Sequence, residues 1–264
     1  MKKLILRSVV LFFVSLLLLT SCIDGRGNIS QGQAFGIVRV VRDDNDSVKI
    51  KLLDVTVSDI PFYSIRFKEA NDDNCFFVSY EYNEDLEANS IKNVEACGYL
   101  TVDIYDKIDV DKWLVSSVLS DTSKVLTDEA PLVEVLWNGD FAYLKGKIFL
   151  ISTLQMSSDQ KMNWDLSYDI DNMSSEEYGR RYYNVFLRST IRTQSTYSKE
   201  KISVANAFEM KDYMETIAKK EKELGASAFK IRFNYLAEIN ENGQMKWDYQ
   251  DTKDIPVVRI LSEQ

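Results

Sequence analysis

The sequence predicts an all-β protein in two units, with one amphipathic helix packed on the second. Short runs alternate polar and apolar residues and are rich in aromatic and β-branched types, the period-2 pattern of half-buried strands. Polar, turn-forming clusters separate those runs. Only one stretch, residues 206–225, repeats its apolar residues at helical spacing.

The first element is an export signal. Lys2 and Lys3 precede an apolar run that ends at Leu19-Thr20-Ser21-Cys22. A charged start, an apolar stretch short for a stable membrane span and small residues before a cut define such a signal. The Cys directly after Leu-Thr-Ser makes it a lipoprotein signal, because the thiol carries a diacylglyceryl group before cleavage. Residues 1–21 are then removed and Cys22 becomes the first residue of the mature chain. One acyl chain contributes about 0.8 kcal/mol per buried methylene and holds a protein reversibly, whereas several chains anchor it firmly. Residues 22–35, with Gly25, Gly27 and Gly32 among polar neighbours, read as a flexible tether.

Strands follow in order. Residues 37–42 and 48–57 flank the turn-like Asp43-Asp44-Asn45-Asp46-Ser47; residues 76–82 and 99–105 continue the same style. The first unit closes between residues 112 and 128, with the break placed at Thr127–Pro131. Residues 133–137, 141–154, 182–192, 229–237 and 257–261 are the strands of the second unit. The helix between them has Asn206 and Glu209 spaced as a capping box and Gly225 as its terminator. Its stripe of Ala207, Met210, Met214, Ile217, Ala218 and Leu224 belongs to a core.

Composition excludes several kinds of chemistry. The chain has no histidine, so a Ser-His-Asp or Cys-His arrangement, a His-liganded zinc and a His pH switch are all ruled out. Removing Lys2, Lys3 and Arg7 with the signal takes the formal charge from -9 to -12. A body so acidic, with no basic patch free of interleaved Asp and Glu, does not suit nucleic acid. At 45% hydrophobic content the chain can bury real cores.

Acidic and aromatic clusters are the remaining candidates. Asp43-Asp44-Asn45-Asp46 lacks the glycine and the glutamate of a calcium loop and reads as a solvated turn. Asp165, Asp169 and Asp171 alternate as a polar strand face does, and no metal is assigned. No carboxylate pair, nucleophile elbow or glycine-rich phosphate loop is singled out, so neither an enzyme activity nor a cofactor is expected. Trp164 and Tyr168, and Trp247 and Tyr249 after Asn242-Gly243, lie in loop-like stretches and are the candidates for ligand contact. Cys75 and Cys97 sit symmetrically about Leu86. Outside the cytoplasm they could form a disulfide, or they could serve as two buried thiols.

Several stretches resemble the NigD-like lipoproteins of Bacteroides-type gut anaerobes. They are the Leu19–Cys22 signal, Gly36-Ile37-Val38-Arg39-Val40, Phe77-Val78-Ser79-Tyr80-Glu81-Tyr82 and Gly98-Tyr99-Leu100-Thr101-Val102-Asp103-Ile104. To these belongs Pro131-Leu132-Val133-Glu134-Val135, followed by Leu136-Trp137-Asn138-Gly139-Asp140-Phe141-Ala142-Tyr143-Leu144. The resemblance implies an OB-like barrel over residues 36–127 and a β-sandwich over 128–264; the helix at 206–224 departs from the family pattern. It also implies a proposed role in bacteriocin immunity and carries no catalytic residues. The function expected is that of a non-enzymatic lipoprotein of the cell outer membrane, held by Cys22 and binding envelope or protein partners. A glycan-binding accessory lipoprotein and a fimbrial or pilus subunit are the alternatives.

Overall fold

The computed structural model describes residues 29–42, 49–63, 67, 70–83, 101–108, 110–111, 113–115, 119–136, 142–169, 174–177 and 180–262. Cys22, Cys97, Asp171, the turn at 43–47 and the Trp137–Asp140 stretch lie outside them. The fold is all-β, as the alternating runs predict.

The first sheet is built from β1 (Ile29–Arg42), β2 (Lys49–Val55), β3 (Ser58–Tyr63), β4 (Cys75–Asn83) and β5 (Thr101–Ile108). All its pairings are antiparallel, in the order β3-β2-β1-β4-β5. The long β1 is offset between its neighbours: Gly36–Arg42 pair with β2 and Ile29–Ile37 pair with β4. Ala34, Val38, Leu53, Val55, Phe76 and Val78 point to one face, where Phe67 closes a core. Phe35, Ile37 and Cys75 point to the other face and are just as buried.

Two expectations change here. The barrel is not closed among the described residues: β3 and β5 are the edges of an open sheet. Alternation specifies strands, whereas closure depends on stagger and on pairing the first strand to the last, which alternation does not encode. Second, β1 begins at Ile29, so residues 29–35 of the expected tether are strand. Gly32 is admitted because Tyr80 lies across it; a Cβ there would be 2.6 Å from the Tyr80 hydroxyl.

Two further sheets face each other. One takes β6 (Val110–Asp111), β14 (Glu200–Glu209), β10 (Lys147–Met156) and β8 (Leu132–Leu136), with β9 (Tyr143–Leu144) hydrogen-bonded to β10. The other orders β16 (Met245–Asp251), β15 (Ala228–Ile239), β13 (Arg180–Thr193), β11 (Lys161–Tyr168) and β7 (Trp113–Val115). To this larger sheet β12 (Ser174–Glu177) adds on β13 and β17 (Ile255–Pro256) adds on β15. Between the sheets lies the main core, with Leu150, Leu154, Leu166, Val185, Leu187, Ile231 and Phe233 fully buried. The β9–β10 turn is Lys145-Gly146, both with positive φ (49° and 83°), the two-residue geometry that matches strand twist.

β6 and β7 precede the expected break at Thr127–Pro131, yet they pair in parallel with β14 and β11. Strands this short carry no periodicity of their own, so only their distant partners define them.

The helix α1 (Lys211–Glu223) is shorter than the spacing predicts. Asn206 and Glu209 form no capping box, because β14 continues its ladder with β10 as far as the Glu209–Lys147 pair. Asn206 is buried there and donates to Ser152 Oγ at 3.2 Å. A ladder paired along its whole length outweighs a local cap. The C-terminal reading holds: Gly225 (φ 76°) ends the helix, its N–H donating to Lys222 O while the Ala226 N–H donates to Glu221 O. That is the Schellman closure. α1 packs Tyr213, Met214, Ile217 and Ala218 into the main core. Residues 257–261, expected as a strand, instead form a short helix, Val257–Ser262, that buries Val257 and Ile260. A short apolar run fits either period, and here the i, i+3 pair decides.

The first sheet meets the sheet of β14 and β10 through Phe35, Ile37 and Cys75, which pack against Ala142, Phe149 and Ala207. The Phe35 and Phe149 rings stack 5.0 Å apart. Beside them Asp54 pairs with Arg39 at 2.9 Å and with Lys145 of the β9–β10 turn.

Two predictions follow from this packing. A Cβ on Gly36 would lie 2.5 Å from Leu53 Cγ and 2.9 Å from the Asp54 carbonyl. Gly36→Ala should therefore cost about 1–3 kcal/mol, read as a lower urea midpoint at an unchanged m-value. Burial raises the pKa of Asp54, but the hydrogen bonds and charges of Arg39 and Lys145 prevail and hold its carboxyl below the usual range. Its contribution is complete above the unfolded carboxylate pKa and is lost as pH falls through the lowered folded value. Asp54→Asn should be less stable at neutral pH and show a shallower acid limb in thermal melts at stepped pH.

Candidate functional site

Alternation along β13 sends Tyr183, Val185 and Leu187 into the core. Tyr182, Asn184, Phe186 and Arg188 therefore take the outer face of the larger sheet. Register places them beside Arg232 and Asn234 of β15, and beyond those beside Trp247, Tyr249 and Asp251 of β16. Two arginine-centred clusters occupy this face.

Arg188 is the more deeply buried; its side chain and that of Glu129 are both 0% exposed. Its Nε donates to Glu129 Oε1 at 2.6 Å and one terminal nitrogen donates to Oε2 at 2.8 Å, a bidentate pair. The same guanidinium donates to the carbonyls of Leu119 (3.2 Å), Asp121 (3.3 Å) and Lys124 (2.5 Å). Residues 119–129 are thereby strapped across the sheet. Trp247 completes the strap: its Nε1 donates to Thr122 O at 3.0 Å, Arg188 lies 5.1 Å from its ring centroid, and Phe186 meets its edge at 6.3 Å.

Arg232 sits between two rings, 4.2 Å from Tyr182 and 4.0 Å from Tyr249. It also pairs with two carboxylates, Asp251 (2.7 and 2.9 Å) and Glu177 (2.7 and 3.1 Å). The hydrogen bonds it donates to Asp251 raise its pKa further, and Arg232 in turn holds the Glu177 carboxyl below its ordinary value. Tyr249 remains 51% exposed, the free edge of this stack.

The four candidate aromatics therefore separate. Trp247 and Tyr249 lie on strand β16 rather than in a loop, share its outer face and stand about 7 Å apart at two strand rises. Trp164 and Tyr168 lie on strand β11, also not in a loop, and pack against the main core, with Tyr168 4.6 Å from the Tyr213 ring of α1. They do not join Trp247 in one platform. Asp165 projects to the outer face opposite Arg188; burial raises its pKa and Arg188 opposes that rise. Among the described residues no three His, Cys, Asp or Glu side chains gather to hold a metal ion. Cys75 is buried at the junction of the sheets, where desolvation pushes its thiol up to about 11.

The sequence reading missed Arg188, Glu129, Arg232 and Tyr182. A signal existed for three of them: Tyr182 and Arg188 alternate with the core residues of β13, and Arg232 alternates with those of β15, so all three take the outer face. Glu129 carries none, because its partner is 59 positions away.

No family model and no curated protein matches the chain. Its fold is shared with solved structures. An uncharacterized protein from Parabacteroides merdae superposes with a TM-score of 0.65 at 17% identity, covering 86% of this chain and 99% of that one. A "Putative lipoprotein" from Bacteroides fragilis superposes with a TM-score of 0.50 at 10% identity, covering 85% and 98%. At such identities the likeness shows the all-β architecture alone.

Removing one partner of the clamp leaves a buried charge uncompensated. Arg188→Met should cost about 3–5 kcal/mol in urea unfolding, and Arg188→Met with Glu129→Leu should recover a large part of that loss. Near-ultraviolet circular dichroism of Trp247 should follow the release of the strap in the single variant.

Proposed function

We propose that this protein is a lipid-anchored lipoprotein of the outer membrane whose body acts by binding envelope or protein partners and not by catalysis. The observation that carries the reading is the Lys2-Lys3 to Leu19-Thr20-Ser21-Cys22 signal. The fold shared with the Bacteroides fragilis "Putative lipoprotein" supports it. Among the described residues no helix is long and apolar enough to cross a bilayer. The NigD-like resemblance adds bacteriocin immunity as the specific role. Cys22→Ser should abolish labelling by radioactive palmitate and move the protein from the membrane fraction to the soluble one, with its circular dichroism unchanged. Retention of the label would overturn the anchor assignment. Unchanged bacteriocin protection after deletion of the gene would overturn the immunity role.

Glycan binding is the second reading, favoured by the exposed Tyr249 ring two residues from Trp247 on one face, with Glu177 and Asp251 beside it to accept sugar hydroxyls. Tyr249→Ala is the discriminating variant, because Trp247 also secures the strap. Calorimetry against envelope and host glycans should show at least about fivefold weaker binding in that variant, on the scale of one lost stacking contact. Equal binding would remove the reading.

A further inference from the structure

A pocket of about 350 Å³ opens where α1 ends, beside the first residues of β13 and β15. Its size is that of a small-ligand site. Leu224 and Phe229, with Ala226 and Ala228, supply an apolar wall, and the rest of the lining is charged: Glu176, Glu221 and Asp254 against Arg181 and Lys230. We propose that this pocket binds a primary ammonium group carried on a short apolar stem. The inference deepens the binding role above by naming a ligand chemistry, and its failure would leave the lipid anchor untouched.

The sign of the ligand follows from the lining. Three carboxylates face two cations, and the carbonyl end of a helix adds partial negative charge. Arg181 is already engaged, donating to Glu221 at 2.7 Å and to Glu176 at 3.1 Å. Lys230 donates to Thr252 O at 3.3 Å and stands 3.7 Å from Asp254. An anion would find both cations held by carboxylates, whereas a cation would find an excess of acceptors.

Glu221 sets the depth of the site. Its side chain is only 6% exposed, and its Oε1 takes both the Arg181 bond and the Tyr183 hydroxyl at 2.6 Å. Its Oε2 accepts no hydrogen bond from a described residue. A carboxylate offers about four lone-pair positions and an ammonium three donors, so the ligand head has an acceptor waiting at the pocket floor. Leu224, 58% exposed, and Phe229 then lie along the stem. An ammonium suits the space better than a guanidinium, because the planar fork would compete with Arg181 for the same carboxylate edge.

The shared chemistry has two sources, a free alkylamine or a lysine side chain of a protein. The test is calorimetry on the full chain carrying Cys22→Ser, with pentylamine, Nα-acetyl-lysine methylamide and, as the opposite charge, pentanoate. The amines should bind with a Kd on the order of millimolar, within reach of so few atoms, and pentanoate should not bind. Tighter binding of the lysine derivative identifies a protein ligand; tighter binding of pentylamine identifies a free amine. Glu221→Gln should weaken amine binding at least about tenfold and Asp254→Asn about threefold, while Lys230→Gln should strengthen it about threefold by removing a like charge. Asp254 is 70% exposed, so Asp254→Asn reports even where Glu221→Gln fails to fold. Absence of amine binding, pentanoate binding equal to that of the amines, or affinities unchanged by Asp254→Asn and Lys230→Gln would overturn the proposal.

Discussion

The second half of the molecule depends on keeping one guanidinium dry. Moving Arg188 out of water costs several kcal/mol unless its donors are met. Here they are met by both oxygens of Glu129 and by the carbonyls of Leu119, Asp121 and Lys124. The compensation is mutual, because those carbonyls, folded against a sheet, would otherwise need partners of their own. The strap and the sheet beneath it are therefore one structure. The short β7 and β6 lie just upstream of the strap, so a strand of three residues and one of two are held against partners they could not retain alone.

The same logic joins the first sheet to the rest. A strand with one wet face alternates, but residues 34–38 of β1 are buried on both sides. One side serves the sheet's own core and the other stacks Phe35 on Phe149. The open sheet is thus a layer against its neighbours, and its second apolar face is what a solvated barrel wall would lack.

Residues whose structure follows from their neighbours were legible in the sequence. The strands at 76–82, 182–192 and 229–237, the stop at Gly225 and the apolar stripe of α1 follow from local periodicity and from one residue able to take a positive φ. What failed was decided at a distance. Asn206 and Glu209 have the spacing of a cap, yet the strand ladder with β10 claims both. Glu129 looks like any loop carboxylate until Arg188 reaches it. The aromatic pairs were half legible: Trp164, Leu166 and Tyr168 recur at every second residue, which in a strand places both aromatics beside a leucine, on the core side. Taking that stretch as a loop concealed this, whereas Trp247 and Tyr249 alternate with Asp248 and Gln250 and so keep one common face.

Charge within the sandwich is distributed in a way that shapes any surface it offers. Arg181, Arg188 and Arg232 are each bound by carboxylates of the same domain, two of them through bidentate contacts. An arginine held this way is neutralised internally and projects little positive field, while carboxylates such as Asp248 and Asp254 stay at the surface. The buried arginines fix the architecture, and the outward charge is left to the exposed lysines and carboxylates around them.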